Sequence, residues 1–196
     1  MTSTPLRSVT VIGCGPTGTS IALALTRAGV DVALADTDPR ALDRALSAGA
    51  GTLLVPGGRP ADVVVVATEP STAPDVLYEA QARGLGRAYT DVDGIDESMW
   101  QEILLRGCDQ FGYVPGRPPG APRTAGPATA SADRFEGRPW VLAPGPATPG
   151  EAVAAVRELV ALCGAIRHQL PPAAPSQSVT FCSPRVTVEP VAHPRS

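Results

Sequence analysis

The sequence predicts an α/β fold with a doubly wound, mainly parallel sheet, and three observations predict it. Short β-branched runs alternate with segments of helical periodicity through residue 170. Glycines at 13, 15 and 18 separate the first run from the first helical segment, and a carboxylate, Asp36, ends the second run. Strands that alternate with helices in this rhythm pair in parallel through right-handed crossovers.

Ser8 to Ile12 (SVTVI) is expected to be a buried strand ending at the glycines, and Thr17 to Ala28 a helix stopped by Gly29. Asp31 to Ala35 is the second strand. Pro39 to Ala48 is the second helix, with proline at its first position. Thr52 to Val55 reads as a short edge strand. Asp62 to Ala67 (DVVVVA) is the most apolar run and so the expected central strand, followed by a helix over Thr72 to Arg83. Arg87 to Val92 and Gln110 to Val114 are expected strands flanking a helix over Glu97 to Arg106. Pro115 to Pro127 holds five prolines and three glycines in thirteen residues, which predicts a loop. Pro139 to Leu142 and Ile166 to Leu170 read as strands around a helix over Gly150 to Leu162 that closes at Gly164. The expected division is one domain over residues 1–170 and a loosely ordered tail over 171–196, where six prolines forbid a long helix.

Composition narrows the function. A net charge of −3 without runs of Lys or Arg provides no footprint for nucleic acid. No signal peptide pattern opens the chain and no apolar stretch is long enough to span a membrane, so a soluble cytoplasmic protein is expected. Cys14, Cys108, Cys163 and Cys182 are widely spaced, with no pairing that suggests a metal site. They read as small buried hydrophobes in a reducing compartment.

Gly13, Gly15 and Gly18 form G-x-G-x-x-G (GCGPTG). A glycine-rich turn that binds nothing is the competing reading of that motif alone, but its place between a strand and a helix points to a Rossmann-type dinucleotide site. The first glycine permits the tight turn, the second lets backbone approach a pyrophosphate, and the third lets the helix pack on the strand. The first-turn amides and dipole of the helix supply the anion site. Asp36, 18 residues beyond Gly18, is placed to accept hydrogen bonds from the adenosine ribose and to repel a 2′-phosphate, so NAD is expected over NADP. FAD generally requires a longer chain.

Beyond the glycine motif, the sequence resembles the prephenate dehydrogenase (arogenate or cyclohexadienyl dehydrogenase) family from about Val9 to Gly164. The carriers are GCGPTGTSIALAL, DVVVVATEP (Asp62 to Pro70), RAYTDV (Arg87 to Val92) and GPATASADRFEGRPWVLAP (Gly126 to Pro144). The resemblance implies an NAD(P)-binding domain, then a helical domain that forms a dimer and completes the substrate pocket, and a reaction in which hydride passes to NAD(P) with loss of CO2. Its cofactor positions match here: Gly13, Cys14, Gly15, Pro16, Thr17, Gly18 and Asp36, and the loop from Thr68 to Pro70. Asp91, ending the next strand, completes the expected cofactor-binding set.

The chemical positions do not match. Where the resemblance implies a serine and, two residues on, a lysine, this chain has Gly94 and Asp96. Where it implies a histidine, this chain has Arg117, and a protonated guanidinium cannot accept a proton. His168 and His193 lie in no motif and read as surface residues. After Ala165 nothing resembles the helical domain. No catalytic residue is therefore assigned. The expectation is an oxidoreductase-like domain, inactive or altered toward prephenate and arogenate, or else a non-catalytic regulatory or accessory protein. A homo-oligomer or a partner chain could then use the surface that the helical domain would cover.

Overall fold

The computed structural model describes residues 5–95, 97–120 and 129–170. The expectations for the tail, Cys182, His193 and Asp96, and for the far part of the Pro115 to Pro127 segment, lie outside them. Six strands, β1 (Ser8–Ile12), β2 (Asp31–Ala35), β3 (Thr52–Leu53), β4 (Ala61–Val66), β5 (Gly86–Asp91) and β6 (Tyr113–Val114), form one wholly parallel sheet in the order β3-β2-β1-β4-β5-β6. This is the doubly wound Rossmann order, with its switch point between β1 and β4.

Helices α1 (Pro16–Arg27), α2 (Pro39–Ser47) and α5 (Gly150–Leu162) cover one face of the sheet. Helices α3 (Ala73–Ala82) and α4 (Glu97–Leu105) cover the other. Side-chain alternation along the strands explains the division. Val9 and Val11 of β1 and Val63 and Val65 of β4 join the core beneath α1 and α5, while Val64 and Val66 join Leu77, Ala80 and Ile103 of α3 and α4. Because both faces are covered, β4 tolerates four consecutive buried valines.

Local chemistry sets the helix ends. Pro16 and Pro39 occupy first-turn positions, where no intrahelical N–H is needed, and the Asp38 carboxylate caps α2 by accepting the Arg40 amide at 2.9 Å. α1 ends where Gly29 adopts a φ of +83° and the Val30 amide returns to Leu25 O.

Two expectations need correction. The Pro115 to Pro127 segment is not wholly a loop, because Gly116–Arg117 forms β7. β7 pairs antiparallel with β8 (Pro139–Leu142), in the register Gly116↔Leu142 and Arg117↔Val141, and Pro115 and Pro118 flank the pair without having to donate to it. β8 also pairs in parallel with β9 (Ile166–Gln169), so β7-β8-β9 is a second, mixed sheet. It is held by buried Trp140 and Leu142 and by Phe135, whose ring lies 5.2 Å from that of Trp140. The strand expected from Gln110 starts only at Tyr113, since the Asp109 carboxylate accepts the Phe111 amide and Gln110 O accepts that of Tyr113, closing a turn.

Candidate functional site

The glycine turn after β1 lies at the carboxyl edge of the sheet, against the chain leaving β4. The Gly13 amide donates to Ala35 O at 2.8 Å, and the Ala67 amide donates to Ile12 O at 2.7 Å. Gly13 has a φ of +106°, and a Cβ there would overlap the Ala67 carbonyl and come within 3.0 Å of the Thr68 amide nitrogen. At Gly18 a Cβ would overlap Gly13 O and press on Ala67 Cβ at 3.0 Å, so this glycine brings α1 onto the sheet. At Gly15, the N-cap of α1, a Cβ would meet nothing within 4 Å. Two glycines thus serve packing, while the third leaves the turn's outer surface bare.

Asp36 closes the β2 side of the turn. One carboxylate oxygen accepts the Cys14 amide at 2.5 Å and the other accepts the Asp38 amide at 2.7 Å, so the acid is anchored to the glycine turn. Cys14 is buried, and burial, aided by the Asp36 charge, pushes its thiol up to about 11. It stays a neutral thiol under the turn. Thr19 Oγ1 donates to Cys14 O at 2.9 Å. Ser20 Oγ donates to Pro16 O at 2.6 Å and accepts the Ser131 amide at 3.1 Å, which seats the segment before Phe135 on the first turns of α1. Cys14, Cys108 and Cys163 are free and buried.

Across the turn, the buried Thr68 Oγ1 has no hydrogen-bond partner. Beyond it, Pro70 and Ser71 share a cleft of about 280 Å³ with Asp93, Ser98, Met99 and Glu102. A larger cavity of about 530 Å³ lies behind β1, β2 and β3, where the β3–β4 connection carries no helix. It lies by the first residues of β1, β2 and β4, the ends of the strands away from the glycine turn. The residues at the turn fit a dinucleotide: a bare glycine at a helix N-terminus, an acid at the end of β2, and an orphaned hydroxyl on the facing loop. Pro16 carries no N–H, which leaves the Thr17 and Gly18 amides to face an anion.

Asp91 ends β5 beside Val66 of β4, at the same edge of the sheet, and the hydrogen bonds of its carboxyl go to other partners. It is 3% exposed, and its carboxyl accepts the Gly116 amide at 3.1 Å and the Asp93 amide at 3.3 Å. Burial outweighs these donors and pushes the carboxyl up to about 7. The hydroxyl of Tyr113, a residue that sequence reading did not single out, adjoins it, and burial, then the Asp91 charge, holds that phenol well above its usual range. Arg117 Nη2 donates to Asp93 O at 3.4 Å, bringing β7 to the turn after β5. Gly94 is buried in that turn. The signal for Tyr113 was weak because only strand pairing brings it to Asp91. Among the described residues no helix is long and apolar enough to cross a membrane.

Comparison with known proteins agrees with this geometry. The family model for the prephenate dehydrogenase nucleotide-binding domain matches residues 21–168. A probable prephenate dehydrogenase, NovF of Streptomyces niveus, is 43% identical over 161 residues, which are 82% of this chain and 44% of that protein. The chain thus spans less than half the length of this curated relative. Among solved structures, prephenate dehydrogenase from Aquifex aeolicus in complex with hydroxyphenyl propionate and NAD+ superposes with a TM-score of 0.72 at 18% identity, over 87% of this chain and 62% of that one. Synechocystis arogenate dehydrogenase gives 0.70 at 18% identity, over 85% and 60%. At that identity these structures establish the shared fold.

Proposed function

Because the chain belongs to the prephenate dehydrogenase family through its nucleotide-binding domain, we propose that it is an NAD(H)-binding oxidoreductase domain whose chemistry toward prephenate and arogenate is altered or lost. The observation that carries the cofactor reading is the bond from the Cys14 amide to Asp36, which joins the acid at the end of β2 to the glycine turn. Asp36 then serves two purposes: it shapes the turn, and it offers its remaining lone pairs to ribose hydroxyls. A 2′-phosphate at that place would meet a carboxylate, so NAD(H) is preferred over NADP(H). Gly15 admits the pyrophosphate, the Thr17 and Gly18 amides face it, and Thr68 and Pro70 border the opposite wall. NAD, when bound, supplies the hydride acceptor.

The altered chemistry rests on two residues. Arg117 keeps its proton and so cannot act as the base implied for its position by the resemblance. Gly94 offers no hydroxyl, and a Cβ there would overlap the Asp91 carboxyl and the Tyr113 hydroxyl. The same two residues favour a second reading, a dinucleotide-binding protein with a regulatory or accessory role and no turnover. We place either in the cytoplasm, consistent with three free buried thiols.

Calorimetric titration tests the cofactor reading. NADH is expected to bind more tightly than NADPH. Charge-assisted hydrogen bonds contribute about 1.5–3 kcal/mol, so Asp36→Ala should weaken NADH about ten- to hundredfold. Equal affinity for the two cofactors in the parent protein would refute the assignment.

A further inference from the structure

Position 94 is occupied from outside. Gly94 is buried, and the space its side chain would fill holds both carboxyl oxygens of Asp91 and the hydroxyl of Tyr113. Tyr113 is 1% exposed, and its ring stacks on Trp100 of α4, with centroids 6.3 Å apart and planes 14° apart. Its buried hydroxyl has no partner of full hydrogen-bond geometry, and the polar group it faces is the Asp91 carboxyl. That carboxyl also receives the Gly116 amide from β7 and the Asp93 amide from the turn after β5. One cluster therefore touches β5, its following turn, β6, β7 and α4.

We propose that Asp91 and Tyr113 are a buried pair of positioning residues, which replace a side chain at position 94 and fix the turn bearing Asp93 against the strand bearing Arg117. Asp93 lines the 280 Å³ cleft beside Pro70, and Arg117 Nη2 donates to its carbonyl, so the pair sets one wall of the crevice. The geometry accounts for glycine at 94, since a buried hydroxyl and carboxyl already fill the place. It also makes the wall responsive to protons. The charged and titratable groups around the pair are Asp93 on the turn, Arg117 on β7 and Cys108 after α4. With the carboxyl neutral, the Gly116 and Asp93 amides meet an uncharged acceptor. With it ionised they meet an anion, and both bonds tighten. Burial holds that transition near neutral pH. The pair is independent of the dinucleotide reading, which supplies only the use of the wall.

The test uses the full chain without cofactor. Amide and carboxyl NMR shifts followed from pH 5 to 9 should show Asp91, Asp93 and Gly116 titrating with one midpoint near 7, and Tyr113→Phe should move that midpoint. Gly94→Ala should lower the melting temperature, and the loss should be partly recovered in Gly94→Ala/Tyr113→Phe, because removing the hydroxyl lets the carboxyl give way. An Asp91 midpoint near 4, amides of Asp93 and Gly116 that ignore it, or strictly additive effects of the two substitutions would each overturn the proposal. Failure of NADH to bind at any pH would count against the dinucleotide reading alone.

Discussion

At the residue scale, the three glycines of the turn after β1 offer a separation of stability from the proposed binding. Gly18→Ala forces a Cβ into Gly13 O and the Ala67 side chain, so it should lower both the melting temperature and cofactor affinity. Gly15→Ala places its methyl in open space at the helix N-cap. It should leave the melting temperature nearly unchanged while weakening NADH at least about tenfold, since in the proposed binding mode the methyl would stand in the path of the pyrophosphate. Thermal melts and calorimetry on the two variants check the split, and a Gly15→Ala protein that binds normally would remove the pyrophosphate from this turn. Asp91 carries a prediction of opposite sign to that of a salt-bridged acid. Its carboxyl keeps a proton up to about pH 7 when folded, against an ordinary value of 3.8. The folded chain therefore binds more protons between those values, and the contribution of Asp91 to stability is full below about pH 4 and lost as pH rises toward 7. The difference is on the order of 4 kcal/mol at most. Urea melts of the parent and of Asp91→Asn across this range should diverge accordingly, with the pH-dependent loss absent from the variant.

At the scale of elements, packing and surface charge differ in weight. α5 lies on the α1 face of the sheet with Val156, Leu159 and Val160 fully buried. Leu159→Ala should cost about 2–5 kcal/mol in urea unfolding, the usual range for a cavity in a close-packed core. Arg106 bridges Asp75 of α3 and Glu102 of α4, but all three side chains are at least one-third exposed to solvent. Screening leaves such pairs nearly without effect, so Arg106→Ala should not shift the urea midpoint measurably. These contrasts follow the pattern seen in the sequence, where helical periodicity marked α1 to α5 and a valine run marked β4. The ends of elements were less legible. β6 begins three residues late because the side chain of Asp109 competes for the backbone, and β7 lies inside a proline-rich segment because two residues suffice to pair with β8.

At the scale of the whole molecule, the prediction concerns turnover. The full chain, supplied with NAD and either prephenate or arogenate, should form no NADH at a rate near the typical enzymatic value of about 10 s⁻¹. A positioned general base contributes about 10²–10⁴-fold, and Arg117 cannot provide it. The measurement is NADH absorbance against a complete family enzyme as control, and turnover within about tenfold of that value would reveal a base elsewhere. Gly94→Ser alone should not restore activity, because its Cβ has no room beside Asp91 and Tyr113.

The sequence by itself determined the parallel α/β layout, the glycine turn and the place of Asp36, because each depends on residues close together in the chain: a period of two or 3.6, a turn that needs glycine, an acid at a strand end. Only the tertiary structure decided what Asp91 does. The register Tyr89↔Tyr113 between β5 and β6 places Asp91 one diagonal step from Tyr113 on the same face, and the pairing of β7 with β8 brings the Gly116 amide to it. Residues 91, 94, 113 and 116 have no common period. What joins them is strand register across a loop and a helix, an arrangement that settles only when the sheet and both its layers pack at once.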